Sequence, residues 1–131
     1  MDEATQSLQE LGRYINAQLS SEVLGHWTAN KELNIEIRPD DIVKVLKFLR
    51  TDTNCLFEML VDICGVDFPD REARFEVVYN LLSLRHNQRI RIKLAVDEET
   101  PVTSVMSIYP SASWFERAQT KKPTDKWTLP M

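Results

Sequence analysis

Side chains able to do acid–base or metal chemistry are few in this sequence, and they are scattered. His26 and His86 stand sixty positions apart. His26 sits beside Trp27 ahead of the first expected strand and His86 in an expected hairpin turn, positions where packed or solvated histidines without a catalytic role are the ordinary outcome. Cys55 and Cys64 are nine positions apart. That spacing fits neither a C-x-x-C redox pair nor a zinc or iron–sulfur ligand set, so both are expected as buried free thiols of a reducing compartment. Asp62, Asp67, Asp70 and Glu72 concentrate four carboxylates, which could ligate a hard cation or act as general acid and base. Their spacing matches no calcium loop, and a strand running into a turn would scatter them; a solvated turn is expected, with Asp62 hydrogen-bonded at a strand end. Three glycines in the whole chain leave no glycine-rich phosphate loop, no dinucleotide fingerprint and no G-x-S-x-G elbow. The expectation is no catalytic residue, no metal site and no cofactor on this chain.

Two groups suit recognition better than catalysis. Arg85, Arg89, Arg91 and Lys93 form a basic ladder on what should be the outer side of a strand, in a chain whose net charge is −4. Arginine pairs bidentately with carboxylates, so the ladder is a candidate docking surface for an acidic partner. The second group is "SWFER": Trp114, Phe115, Glu116 and Arg117 include the residue types that dominate interface hot spots, and two readings stay open, an interface or Trp114 and Phe115 closing this domain's own core. Ser113 and Glu116 also have the S-x-x-E spacing of a helix capping box.

The elements that must position these groups follow from periodicity. Leu8, Leu11, Ile15 and Leu19 recur at spacings of three and four, an amphipathic helix over about 4–20 with Gly12 as a weak point. "KELNIEIRP" alternates, with Leu33, Ile35 and Ile37 on one side, and Pro39 ends it as a strand. Asp40 or Asp41 then caps a helix whose apolar stripe is Ile42, Val45, Leu46 and Leu49. Through "CLFEMLVDICGVDFP" a helical turn around 56–60 and a strand at 61–67 are expected. "RFEVVYNLLSL" and "RIRIKLAV", joined by "RHNQ", form an antiparallel hairpin with Ile90, Ile92, Leu94 and Val96 inward. "DEETP" is a surface loop, and a last helix starts near Ser113. The order helix, strand, helix, three strands and a helix predicts an α+β fold, with a mostly antiparallel sheet of about four strands and two to three helices on one face.

A chain of 131 residues with 43% apolar and 27% charged residues is sized for one domain with a single core. Residues 118–131 carry Lys121, Lys122 and Lys126 against Asp125, so residues 1–117 are more acidic than the total, which argues against nucleic acid as a partner. No apolar run approaches the roughly 18 residues that span a bilayer. "MDEATQSLQE" lacks the features of a signal or transit peptide.

These segments resemble a known family. "RFEVVYNLLSLRHNQRIRIKLAV", an acidic loop, "PVTSV" and "YPSASWFER" are similar in order and spacing to the C subunit of the respiratory NADH:quinone oxidoreductase, complex I, over about Trp27 to Arg117. The resemblance implies a non-catalytic peripheral-arm subunit without a redox centre of its own, beside the hydrogenase-like subunit that helps form the quinone site. Flavin and iron–sulfur clusters would be on partner subunits. Membrane association would be indirect, on the cytoplasmic side of a bacterial inner membrane or the matrix side of the mitochondrial one. Trp114, Phe115, Glu116, Arg117 and the ladder Arg85, Arg89, Arg91 and Lys93 would face partners. After Arg117 the sequence departs from the family pattern: Ala118 replaces an expected Glu, and "QTKKPTDKWTLPM" does not resemble the partner-wrapping arm. The expected division is therefore a domain over 1–117 and a divergent, flexible tail over 118–131. A free-standing ligand-binding or regulatory α+β module is the rival reading.

Overall fold

The computed structural model describes residues 3–68, 70, 75–96, 102–119 and 126–127. Helix α1 (Glu3–Gln18) leads into strand β1 (Val23–Ala29) and strand β2 (Glu32–Ile37). A 3-10 turn (Pro39–Asp41) opens helix α2 (Ile42–Thr51), which is followed by strands β3 (Met59–Asp67), β4 (Phe75–Ser83) and β5 (Gln88–Val96). The short strand β6 (Val102–Thr103), helix α3 (Ala112–Gln119) and the short strand β7 (Lys126–Trp127) complete the order. The fold is α+β, as its periodicities predict. Five strands in the order β1-β2-β5-β4-β3 make one sheet, antiparallel except where β2 runs parallel to β5. Within the segment 118–131, Ala118 and Gln119 continue α3 and β7 pairs with β6; the rest of that segment lies outside the described residues.

Alternation of side chains sorts the sheet into two faces. Leu33, Ile35 and Ile37 of β2, Ile90, Ile92, Leu94 and Val96 of β5, Val77, Tyr79 and Leu81 of β4 and Ile63 of β3 turn to one face and are buried. Against them pack Leu8, Leu11, Ile15 and Leu19 of the first helical segment, Ile42, Val45, Leu46 and Leu49 of α2, and Ala112 at the start of α3. Burying each such aliphatic side chain contributes about 1.5–3 kcal/mol relative to leaving it exposed. Gly12 is less a weak point than a fit. A Cβ there would stand 2.8 Å from the His26 ring nitrogen Nδ1 and 3.0 Å from Leu33 Cδ1, so its absence lets α1 lie close to β1 and β2.

Three expectations about elements are corrected. Val23–Ala29 is a strand, so His26 and Trp27 lie within the sheet and not ahead of it. Its hairpin with β2 turns on Asn30 and Lys31, both with positive φ (52° and 64°), the geometry of a two-residue I′ turn. That turn usually advertises itself by a glycine, which is absent here. The helical turn expected at 56–60 falls instead on residues 52–56, where the amides of Cys55 and Leu56 donate to the Asp52 carbonyl. Leu56 then takes a left-handed φ of 48°, which halts helical winding before Met59 opens β3. Finally, Asp41 holds the N-cap position of α2 but makes no side-chain capping bond.

Polar contacts fasten the helical layer. Tyr14 Oη donates to the Asp52 carboxylate at 3.0–3.1 Å and accepts from Asn54 Nδ2 at 3.1 Å, joining α1 to the end of α2. Lys44 on α2 pairs with Glu22 in the turn before β1. That pairing, led by the hydrogen bond, holds the Glu22 carboxyl below the usual range and raises the Lys44 ammonium.

Candidate docking surfaces

The expected capping box at the start of α3 does not form. Ser113 lies inside the helix, and Glu116, only 4% exposed, turns its carboxylate away from it. Oε1 accepts the Val105 amide at 2.8 Å and Oε2 accepts the Ser104 hydroxyl at 2.7 Å. Glu116 is thus a clamp between α3 and the loop before it. Phe115 is half-buried against the chain's own core. Trp114 and Arg117 lie on α3, but their side chains are outside the described residues. Beneath the clamp, Tyr79 is fully buried and its hydroxyl has no hydrogen-bond partner among the described residues. Burial, reinforced by the Glu116 charge, pushes that phenol well above its usual range.

The other face of the sheet carries no helix among the described residues, and it holds most of the basic ladder. The structure splits that ladder. Arg91 Nε lies 2.7 Å from Glu32 on β2, and Lys93 Nζ lies 3.7 Å from Glu76 on β4 and 5.3 Å from the centre of the Trp27 ring. One strand further, Asn80 Nδ2 donates to Asp62. Each strand junction from β2 to β3 is therefore crossed by a polar pair, diagonal for Arg91–Glu32 and Lys93–Glu76 and directly opposite for Asn80–Asp62. Arg85 and Arg89 are exposed and have no ion pair among the described residues.

Of the four carboxylates expected to scatter, Glu72 and the side chain of Asp67 lie outside the described residues, and Asp70 is exposed. Asp62 is hydrogen-bonded, although at an irregularity in the β3–β4 register (between Leu60 and Asp62) and not at a strand end. The whole of "DEETP" lies outside the described residues too. No group of three or more His, Cys, Asp or Glu side chains could hold a metal among the described residues. Cys55 is buried and its thiol is pushed up to about 12, first by burial and then by Asp52. Cys64 corrects the reading of two buried thiols: it faces the open side of β3 and is exposed. Desolvation, then Asp62, raises its thiol above the ordinary range. His86 sits in the β4–β5 turn as expected, its Nε2 3.1 Å from the Thr53 carbonyl.

Sequence reasoning missed a cleft at the turn end of the sheet. Its volume is about 490 Å³, and Lys31 and Arg89 are the cations on its wall, with His86, Asn30, Asn87 and Gln88 around them. Lys31 could not be placed there without the β1–β2 turn, whose asparagine–lysine pair gives a faint signal.

The architecture is that of an α+β domain with one helical layer on a five-stranded sheet. The same fold occurs in a chain of the solved "membrane-bound sulfane sulfur reductase (MBS), an archaeal respiratory membrane complex", with a TM-score of 0.70 at 23% identity, over 84% of this chain and 64% of that one. Residues 35–120, from β2 past the end of α3, match the family "Respiratory-chain NADH dehydrogenase, 30 Kd subunit", and the chain belongs to that family. It is 54% identical over 117 residues to the C subunit of the NADH-quinone oxidoreductase of Xanthobacter autotrophicus, covering 89% of this chain and 54% of that protein. It is 53% identical over 115 residues to the corresponding protein of Paramagnetospirillum magneticum, covering 86% and 57%. The chain thus spans about half the length of the curated relatives it matches. No described helix is long and apolar enough to cross a membrane.

Proposed function

We propose that the chain is a non-catalytic peripheral-arm subunit of a proton-translocating NADH:quinone oxidoreductase. It scaffolds the hydrogenase-like subunit near the quinone site, while flavin and iron–sulfur clusters on partner subunits carry the electrons from NADH. It associates with the membrane through the complex, on the cytoplasmic side of a bacterial inner membrane or the matrix side of the mitochondrial one. The observation that carries this reading is the family match over residues 35–120, because those residues build most of the sheet, α2 and α3 and so the surfaces a scaffold would present. Exposed Leu24, Leu84, Met59, Val66 and Met106 add apolar surface outside the core, of the kind partners cover. In this reading Trp114, Arg117, Arg85 and Arg89 face partners.

A tagged copy of the chain, recovered from its native host in mild detergent, tests the assignment. Co-recovery of the large flavin- and iron–sulfur-bearing subunits is expected. Recovery of the chain alone, as a monomer or homodimer, would favour a free-standing binding module and overturn the proposal.

A further inference from the structure

The basic ladder suggests an acidic partner, but its inner rungs are already matched within the chain: Arg91 by Glu32 and Lys93 by Glu76. Unmatched cations gather elsewhere. At the turn end of the sheet, Lys31 of the β1–β2 turn and Arg89 of β5 line one cleft and have no ion pair among the described residues. Arg85 lies in the β4–β5 turn beside Leu84, which is 68% exposed. Amide side chains of Asn30, Asn87 and Gln88 also line the cleft, and they can donate to carboxylates or to a peptide backbone. The one carboxylate on its wall among the described residues, Glu32, is held by Arg91 at 2.7 Å and so opposes an incoming anion less than a free one would.

The turns that present these groups are short and closed by strand pairing, Ala29 to Glu32 on one side and Ser83 to Gln88 on the other. The cations are thus carried on rigid supports, which lowers the ordering cost of binding. We infer that this cleft receives an acidic segment of a partner protein, with its carboxylates on Lys31 and Arg89. This rests on the reading of the chain as one component of a larger complex. A volume of about 490 Å³ takes more than a lone anion and suits a short run of side chains. A net charge of −4 disfavours an anionic lipid surface as the occupant, since such surfaces attract basic segments. A local cationic pair in an acidic body is instead the complement of a local acidic segment.

The test uses the full chain and a fluorescein-labelled deca-glutamate peptide, with binding read by fluorescence anisotropy at low salt. Replacing both cleft cations, Lys31→Gln with Arg89→Gln, is expected to weaken binding at least tenfold. The control Arg13→Gln with Lys47→Gln removes the same charge from exposed helix positions outside the cleft and is expected to change binding less than twofold. Circular dichroism melting of both double variants checks that the fold is kept; should the first variant melt early, Lys31→Ala with Arg89→Lys provides the comparison. No measurable binding by the unmodified chain, or equal weakening by the control, overturns the inference. So does binding to phosphatidylglycerol vesicles that depends on Lys31 and Arg89, which would make the occupant a lipid headgroup. Either result leaves co-recovery of the large subunits untouched, so the cleft can fail while the assignment to the complex stands.

Discussion

The two faces of the sheet are cut from the same strands, yet they solve different problems. The covered face is apolar throughout β2 and β5 and closes on three helices, so its residues are specified by volume and by exclusion of water. The open face is polar at each strand junction from β2 to β3, and there Arg91 and Lys93 are matched by carboxylates on the neighbouring strands. Formal charge on a surface is therefore a poor guide to where a partner binds. Of the described cations on this sheet and its turns, those without an ion pair, Lys31, Arg85 and Arg89, stand at its turn end.

Substitutions at four places sharpen or break this contrast, beginning with the largest effect. Leu46→Ala removes a fully buried side chain from the covered face and should cost about 3 kcal/mol in a urea melt; a loss under about 1 kcal/mol would mean that the face is loosely packed. Glu116→Ala leaves the Val105 amide without its acceptor and should cost about 2 kcal/mol. Glu116→Gln keeps an acceptor for that amide and gains a donor toward Ser104, so most of the stability should return in the same melt. If both variants fall equally, the negative charge itself matters and the clamp is misread.

Tyr79→Phe should go the other way. It deletes a buried hydroxyl without a partner, so it is expected to be neutral or to stabilise by up to about 1 kcal/mol; a loss of that size would reveal a hydrogen bond from outside the described residues. On the open face, a double-mutant cycle on Arg91→Gln and Glu32→Gln should give a coupling of only about 0.5 kcal/mol, reduced further by salt. A coupling several times larger would erase the contrast between the faces.

Much of the covered face is legible in the sequence because burial leaves a period. Ile90, Ile92, Leu94 and Val96 identify their strand by alternation, and Ile42, Val45, Leu46 and Leu49 identify their helix. β1 is hidden for the converse reason. "VLGHWTA" lies at the sheet edge with half-buried residues on both sides, so it shows no clean alternation, and its turn lacks glycine. The onset of β3 is hidden because the backbone reversal at Leu56 is imposed by contacts at the end of α2, including the Phe57 amide on the Leu49 carbonyl. The role of Glu116 escaped for a different reason: S-x-x-E spacing describes a local bond, whereas its partners, Ser104 and Val105, come from the preceding loop. The cleft depends on two turns distant in sequence, and nothing within either turn announces the other.

The parallel pairing of β2 with β5 has a kinetic consequence. Leu33 stands beside Ile90, so this junction joins chain segments separated by α2, β3 and β4, whereas the β4–β5 hairpin closes over a four-residue turn. Closing the long loop carries the larger entropic cost, which places the junction late in folding. During synthesis, the N-terminal hairpin must wait for β5 to leave the ribosome before its inner edge can be paired, and until then that edge is the segment most open to pairing with another chain.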